Sequence, residues 1–70
     1  MVRVSVISTE LRSIAYDENT LTLEVEFRRR GTYQYFGVTN DVYLNLMSAP
    51  SKGRYFNASI RDAYDYQRVA

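Results

Sequence analysis

Seventy residues, 46% apolar and 24% charged, describe a small globular chain that buries one modest core, which leaves no room for a second domain. With no cysteine and no histidine, a disulfide framework, a thiolate and imidazole zinc site and a thiol nucleophile are excluded. The formal net charge of +1 gives no general attraction to nucleic acid or anionic lipid, so any polyanion binding has to come from a local patch.

The N-terminus alternates Val2, Arg3, Val4, Ser5 and Val6. That is a strand pattern, not a positive segment followed by a continuous apolar stretch, and the expectation is a cytoplasmic protein without a membrane span. Ile14 and Tyr16 alternate with Ser13 and Ala15, and Asp17, Glu18, Asn19 and Thr20 then supply turn formers that return the chain as a hairpin. The strictest alternation follows. Leu21, Leu23, Val25 and Phe27 point one way, and Thr22, Glu24, Glu26 and Arg28 the other.

Arg29, Arg30 and Gly31 connect this strand to the β-prone run Thr32, Tyr33, Gln34, Tyr35 and Phe36. Glycine at the third position of a three-residue loop predicts Phe27 opposite Tyr33 and Val25 opposite Tyr35, with both tyrosines on the apolar face. A two-residue loop would turn them to the face of Glu24 and Glu26. Beyond Val38, Thr39 is the expected N-cap of a short helix, with Asp41 near its positive end. Val42, Tyr43, Leu46 and Met47 form its apolar stripe. Pro50 interrupts the chain, and Ser51 is the expected cap of a second helix burying Tyr55, Phe56, Ile60 and Ala63, with Gly53 a weak point in its first turn. Val2 to Val6 and Tyr64 to Val69 are candidate edge strands whose neighbours the pattern does not choose. The predicted architecture is α+β: an antiparallel meander of three to five strands followed by two short helices on one face, all in a single domain spanning residues 1–70.

No spacing of serine, lysine, tyrosine or carboxylates suggests catalysis, and Glu24 and Glu26 are explained by alternation along a solvated strand. A non-enzymatic chain without cofactor or metal is expected. Ser51-Lys52-Gly53 is superficially similar to a phosphate loop, but the order of residues is wrong for one. What remains there is Lys52 and Arg54 at a helix start, where backbone amides favour an anion. Arg28, Arg29 and Arg30 form the one basic run, at a hairpin tip, and the carboxylates on the same ribbon confine any phosphate contact to that tip or another edge. Of seven tyrosines, Tyr33 and Tyr35 go to packing by the register above. Tyr55, Tyr64 and Tyr66, near Arg54, Arg61 and Arg68, are the expected exposed binding surface.

The ordered segments Ile14-Ala15-Tyr16-Asp17, Leu21 to Phe27, Gly31-Thr32-Tyr33-Gln34-Tyr35 and Ala49-Pro50-Ser51-Lys52-Gly53-Arg54-Tyr55-Phe56-Asn57 together resemble the KTSC domain family. That family is named from the C-terminus of some lysyl-tRNA synthetases and also occurs as small stand-alone proteins of bacteria and their viruses. Its Tyr-x-Tyr motif is matched by Tyr33 and Tyr35. Its activity is not established, and the resemblance implies at most RNA binding. Members often carry proline where this chain has Thr39, which exchanges a rigid helix entry for a hydroxyl cap. The leading expectation is a small module binding RNA or another polyanion through Lys52, Arg54, Tyr55, Arg61, Tyr64 and Tyr66. The alternatives are a protein-interaction or accessory module, of phage origin in one version, using the same surface on an acidic partner, and a homodimer formed through a strand edge. The sequence does not fix the oligomeric state.

Overall fold

The computed structural model describes all seventy residues, Met1 to Ala70. Five strands pair strictly with their sequence neighbours in the order β1-β2-β3-β4-β5, all antiparallel: β1 (Val2–Ser5), β2 (Leu11–Asp17), β3 (Thr22–Phe27), β4 (Gly31–Phe36) and β5 (Tyr66–Arg68). Helices α1 (Asn40–Ser48) and α2 (Lys52–Ser59) lie between β4 and β5 in the chain. The two candidate edge strands thus find different neighbours, β1 on β2 and β5 on β4. No helix is long and apolar enough to cross a membrane.

Alternation decides which face the helices cover. Leu23, Val25 and Phe27 of β3, Ile14 of β2 and Tyr35 of β4 turn to one side and join Leu46 of α1 and Phe56 of α2 in one buried cluster. Phe56 meets Phe27 and Tyr35 edge-on, at ring separations of 5.3 and 5.2 Å. Tyr16 stacks on Tyr43 of α1 at 4.6 Å, and its hydroxyl donates to the Val38 carbonyl at 2.6 Å, which ties β2 to the entry of α1. Leu11 also reaches the core because a bulge between Leu11 and Ser13 adds a residue at the start of β2.

The opposite face is a polar lattice. Arg3 pairs with Glu24 and donates to the Ser13 hydroxyl at 2.7 Å; Ser13 donates to Glu26 at 2.8 Å, and Gln34 to Glu24 at 2.9 Å. These long side chains roof over the small residues between them, so Ser13 and Ala15 are buried although no helix covers them. Glu24 and Glu26 are therefore members of a satisfied network across four strands, with the geometry of a clamp and not of an acid and base pair.

Four local expectations need correction. The second hairpin places Phe27 opposite Gly31 and Val25 opposite Tyr33, with Arg28 to Arg30 as the loop. The pairing is slipped by two residues from the predicted one. Because the side-chain period is two, the slip leaves Tyr33 and Tyr35 on the apolar face. Its cause lies at Gly31, which has φ +90° within the first pair of β4; a Cβ there would lie 2.9 Å from the Ala70 carbonyl and the Arg68 guanidinium. Leu21 does not extend β3: it closes the first turn with φ 53°, held by Val38 donating to its carbonyl at 3.0 Å. Thr39 starts α1, but its hydroxyl makes no cap; its carbonyl accepts from Val42 and Tyr43 instead. Ala63 is exposed because α2 ends at Ser59, with Ile60 as its buried C-cap. The Ser51 cap is present, accepting from the Arg54 amide at 3.3 Å.

Candidate functional site

A cleft of about 200 Å³ opens on the helix side of the sheet, beside the β4–β5 edge, lined by Phe27, Arg30, Tyr33, Tyr35, Arg61, Asp62 and Tyr66. The β3–β4 hairpin, the turn after α2 and β5 build it. The alternation of β4 sends Tyr33 and Tyr35 to this side, and the pairing of Tyr66 with Tyr35 sets the β5 ring beside them. The Tyr66 ring stands 5.6 Å from Tyr35 and 6.0 Å from Tyr33, and Tyr33 meets Phe27 edge-on at 5.7 Å. The hairpin tip contributes Arg30, folded back over the Phe27 ring at 4.2 Å. The turn after α2 contributes Arg61 and Asp62.

Exposure differs sharply along this row. Tyr35 is only 5% exposed, whereas Tyr66 is 59% exposed and offers a free ring face. The Tyr35 hydroxyl bonds no group of the protein, yet no side-chain polar atom is buried without a partner, so that hydroxyl reaches the open volume of the cleft. Burial pushes its pKa up, and the nearby Arg30 and Arg61 charges pull partly the other way. It stays protonated, a donor, throughout the neutral range.

Arg30 also pairs loosely with Glu10, at 3.6 Å, and so separates this cleft from a second one of about 240 Å³ lined by Thr9, Glu10, Phe27, Arg29 and Arg30. Glu10 is braced by Asn57 of α2, which donates to it at 3.0 Å, and Gly53 makes room for it: a Cβ there would stand 2.9 Å from the Glu10 carboxylate. The predicted weak point of α2 is thus a seat for Glu10. No group of three or more histidine, cysteine, aspartate or glutamate side chains comes together in a form that holds a metal.

Of the residues proposed from sequence, Arg61 and Tyr66 enter the cleft together. Lys52 is half-buried and turns its ammonium back to the Ala49 carbonyl at 3.5 Å. The α2 start is closed by Ser51, and Arg54 stands exposed beside it. Tyr55 and Tyr64 are half-buried against the core cluster. Tyr33 and Tyr35, assigned to packing, do pack, and they also line the cleft. Sequence reasoning missed Phe27 and Asp62. The basic run marked Arg30, but nothing local shows that the tip curls over Phe27 toward the turn after α2.

The KTSC domain family matches residues 7–64 of this chain. An uncharacterized protein of Stutzerimonas stutzeri is 40% identical over 70 residues, 99% of each chain. Lysine–tRNA ligases of Nostoc punctiforme and Trichormus variabilis are 33% and 35% identical over 60 residues; the match takes in 86% of this chain but only 11% of each ligase. The crystal structure of a KTSC domain protein from Yersinia pestis superposes with a TM-score of 0.97 at 40% identity, over 99% of this chain and 97% of that one.

Proposed function

The chain belongs to the KTSC domain family, and on that premise we propose that it is a non-enzymatic cytoplasmic module that binds single-stranded RNA weakly. One observation carries the reading: the cleft sets an exposed tyrosine ring and two guanidinium groups around a volume of about 200 Å³. Bases splayed from a single strand stack on tyrosine faces and on arginine planes, and arginine also takes the phosphate. A volume below the roughly 300–1,000 Å³ of pockets for drug-sized ligands suits one base at a time. The opposite sheet face is unsuited to a phosphate backbone, since Arg3 is bound to Glu24 and two carboxylates lie across it. Relatives of the segment within lysine–tRNA ligases agree with an RNA partner.

Titration with unstructured RNA and with mixed tRNA, followed by amide NMR at low and physiological salt, tests this. Saturable shifts are expected at Arg30, Tyr33, Arg61 and Tyr66. Two phosphate contacts give a slope of log K against log salt of about −1.4, from about −0.7 per contact on single strands. Shifts absent at low salt, or centred on Lys52 and Arg54 instead, would overturn the assignment to the cleft.

A second reading rests on a different surface. The outer edge of β1 is unpaired, Val2 is 79% exposed and Ile7 fully so, which favours a second copy adding its own β1 there. Sedimentation at micromolar concentration decides it by mass.

A further inference from the structure

Asp62 is out of place in a cleft that only attracts phosphate. A carboxylate beside Arg30 and Arg61 weakens such attraction at close range, and a polyanion site gains nothing from it. Nor is Asp62 spent within the protein: it belongs to neither ion pair and accepts no side-chain hydrogen bond, although Arg61 is its neighbour in the chain. A free carboxylate accepts through two oxygens and donates nothing, so it selects a ligand edge that presents two donors side by side.

Resting on the RNA reading above, we infer that this cleft takes one guanine base, with Asp62 receiving its N1–H and N2–H₂ donors and Tyr66 supplying the stacking face. The other bases fail on the same edge. Adenine and cytosine each offer one amino donor next to a ring nitrogen acceptor, and uracil sets its one N–H between two carbonyls, so each brings at least one acceptor against a carboxylate oxygen. The remaining groups suit guanine as well. Arg30, Arg61 and the Tyr35 hydroxyl are donors, and guanine O6 and N7 and the phosphate are acceptors. Arg30 already lies over one aromatic ring, at 4.2 Å, and its other face is a second stacking plane. A guanine in a single strand and a free guanine nucleotide share this chemistry, and the strand adds phosphates for the two arginines.

Four fluorescent heptamers, uridine throughout except for G, A, C or U at the centre, and guanosine monophosphate as competitor separate the outcomes. The G heptamer is expected to bind about tenfold more tightly than the other three, near the low end of the discrimination of a bidentate base contact. Asp62→Asn is expected to abolish that preference, because its amide turns a donor toward N2–H₂, while the all-uridine heptamer binds as before or more tightly. Asp62 is exposed, and the amide spectrum of the variant confirms its fold. Equal binding of all four heptamers to the unaltered protein would overturn the guanine inference and leave the RNA reading standing. A preference that survives Asp62→Asn would overturn it too. No binding by any heptamer, at low salt, would remove both. Guanosine monophosphate competing as well as the G heptamer would support the guanine pocket and overturn the single strand as its ligand.

Discussion

Arg3→Ala should cost this protein about 1.5 kcal/mol of stability, although Arg3 lies on the exposed edge strand. The substitution removes two interactions. The ion pair with Glu24 is partly shielded, with side-chain exposures of 38% and 17%, and contributes about 0.5–1 kcal/mol. The bond to the nearly buried Ser13 hydroxyl adds about 0.5–1.5 kcal/mol. For a chain of this length the loss corresponds to a fall in Tm of about 6–12 °C. Urea denaturation followed by circular dichroism, at 50 mM and 1 M salt, measures it, and the difference should shrink in high salt as the pair is screened. Val2→Ala is the control from the same strand, since Val2 is 79% exposed and touches none of the network. A double-mutant cycle with Glu24→Gln should return a coupling of about 0.5–1 kcal/mol. An Arg3→Ala protein within about 0.3 kcal/mol of the parent would refute the clamp and reduce the lattice to surface decoration.

Three further outcomes follow from geometry. Tyr16→Phe should lose about 1 kcal/mol, because the buried Val38 carbonyl loses its donor. Burial, then Glu18 and Asp17, raise the Tyr16 pKa, and burial raises that of Tyr35. Each hydroxyl then ionises more readily in the unfolded chain, so their contribution is full below pH about 10 and falls as pH rises through the folded values; alkaline melts should show less of this fall in Tyr16→Phe. Gly31→Ala should cost more than about 1 kcal/mol, since φ +90° strains any side chain and the new Cβ meets the Ala70 carbonyl at 2.9 Å; unchanged urea midpoints would contradict the register described. Lys52→Ala and Arg54→Ala should each reduce RNA affinity less than twofold, against about fivefold or more for Arg61→Ala, read by fluorescence anisotropy at low salt.

The sheet was legible wherever one face had to be buried. Leu23, Val25 and Phe27 announce β3 because an apolar side chain at every second position has one economical use. The same periodicity hides a slip of two residues, since Tyr33 faces the core whether it meets Phe27 or Val25. The left-handed Leu21 was illegible for a related reason. Asp17 and Asn19 are the better turn formers, and the Asn19 amide does bond the Asp17 carboxylate at 3.0 Å, but the positive φ falls where the chain must re-enter the sheet under Val38. At the candidate site, Arg61 and Tyr66 stood out as cation and ring close in sequence. Phe27, Arg30 and Asp62 join them only through the hairpin curl and the docking of the last strand, both of which depend on tertiary contacts.

The pairing of each strand with its predecessor also sets an order of assembly. From β1 to β4 every contact across the sheet closes a short hairpin, at small entropic cost, whereas β5 reaches β4 only after the whole helical segment has been placed. The three-residue β5 therefore docks late and opens first, and amide exchange should be faster at Gln67 than at Val25. The Tyr66 wall of the cleft belongs to that last-formed strand, so the cleft is complete only in the fully closed state, and a ligand stacked on Tyr66 would slow the opening of the C-terminal end.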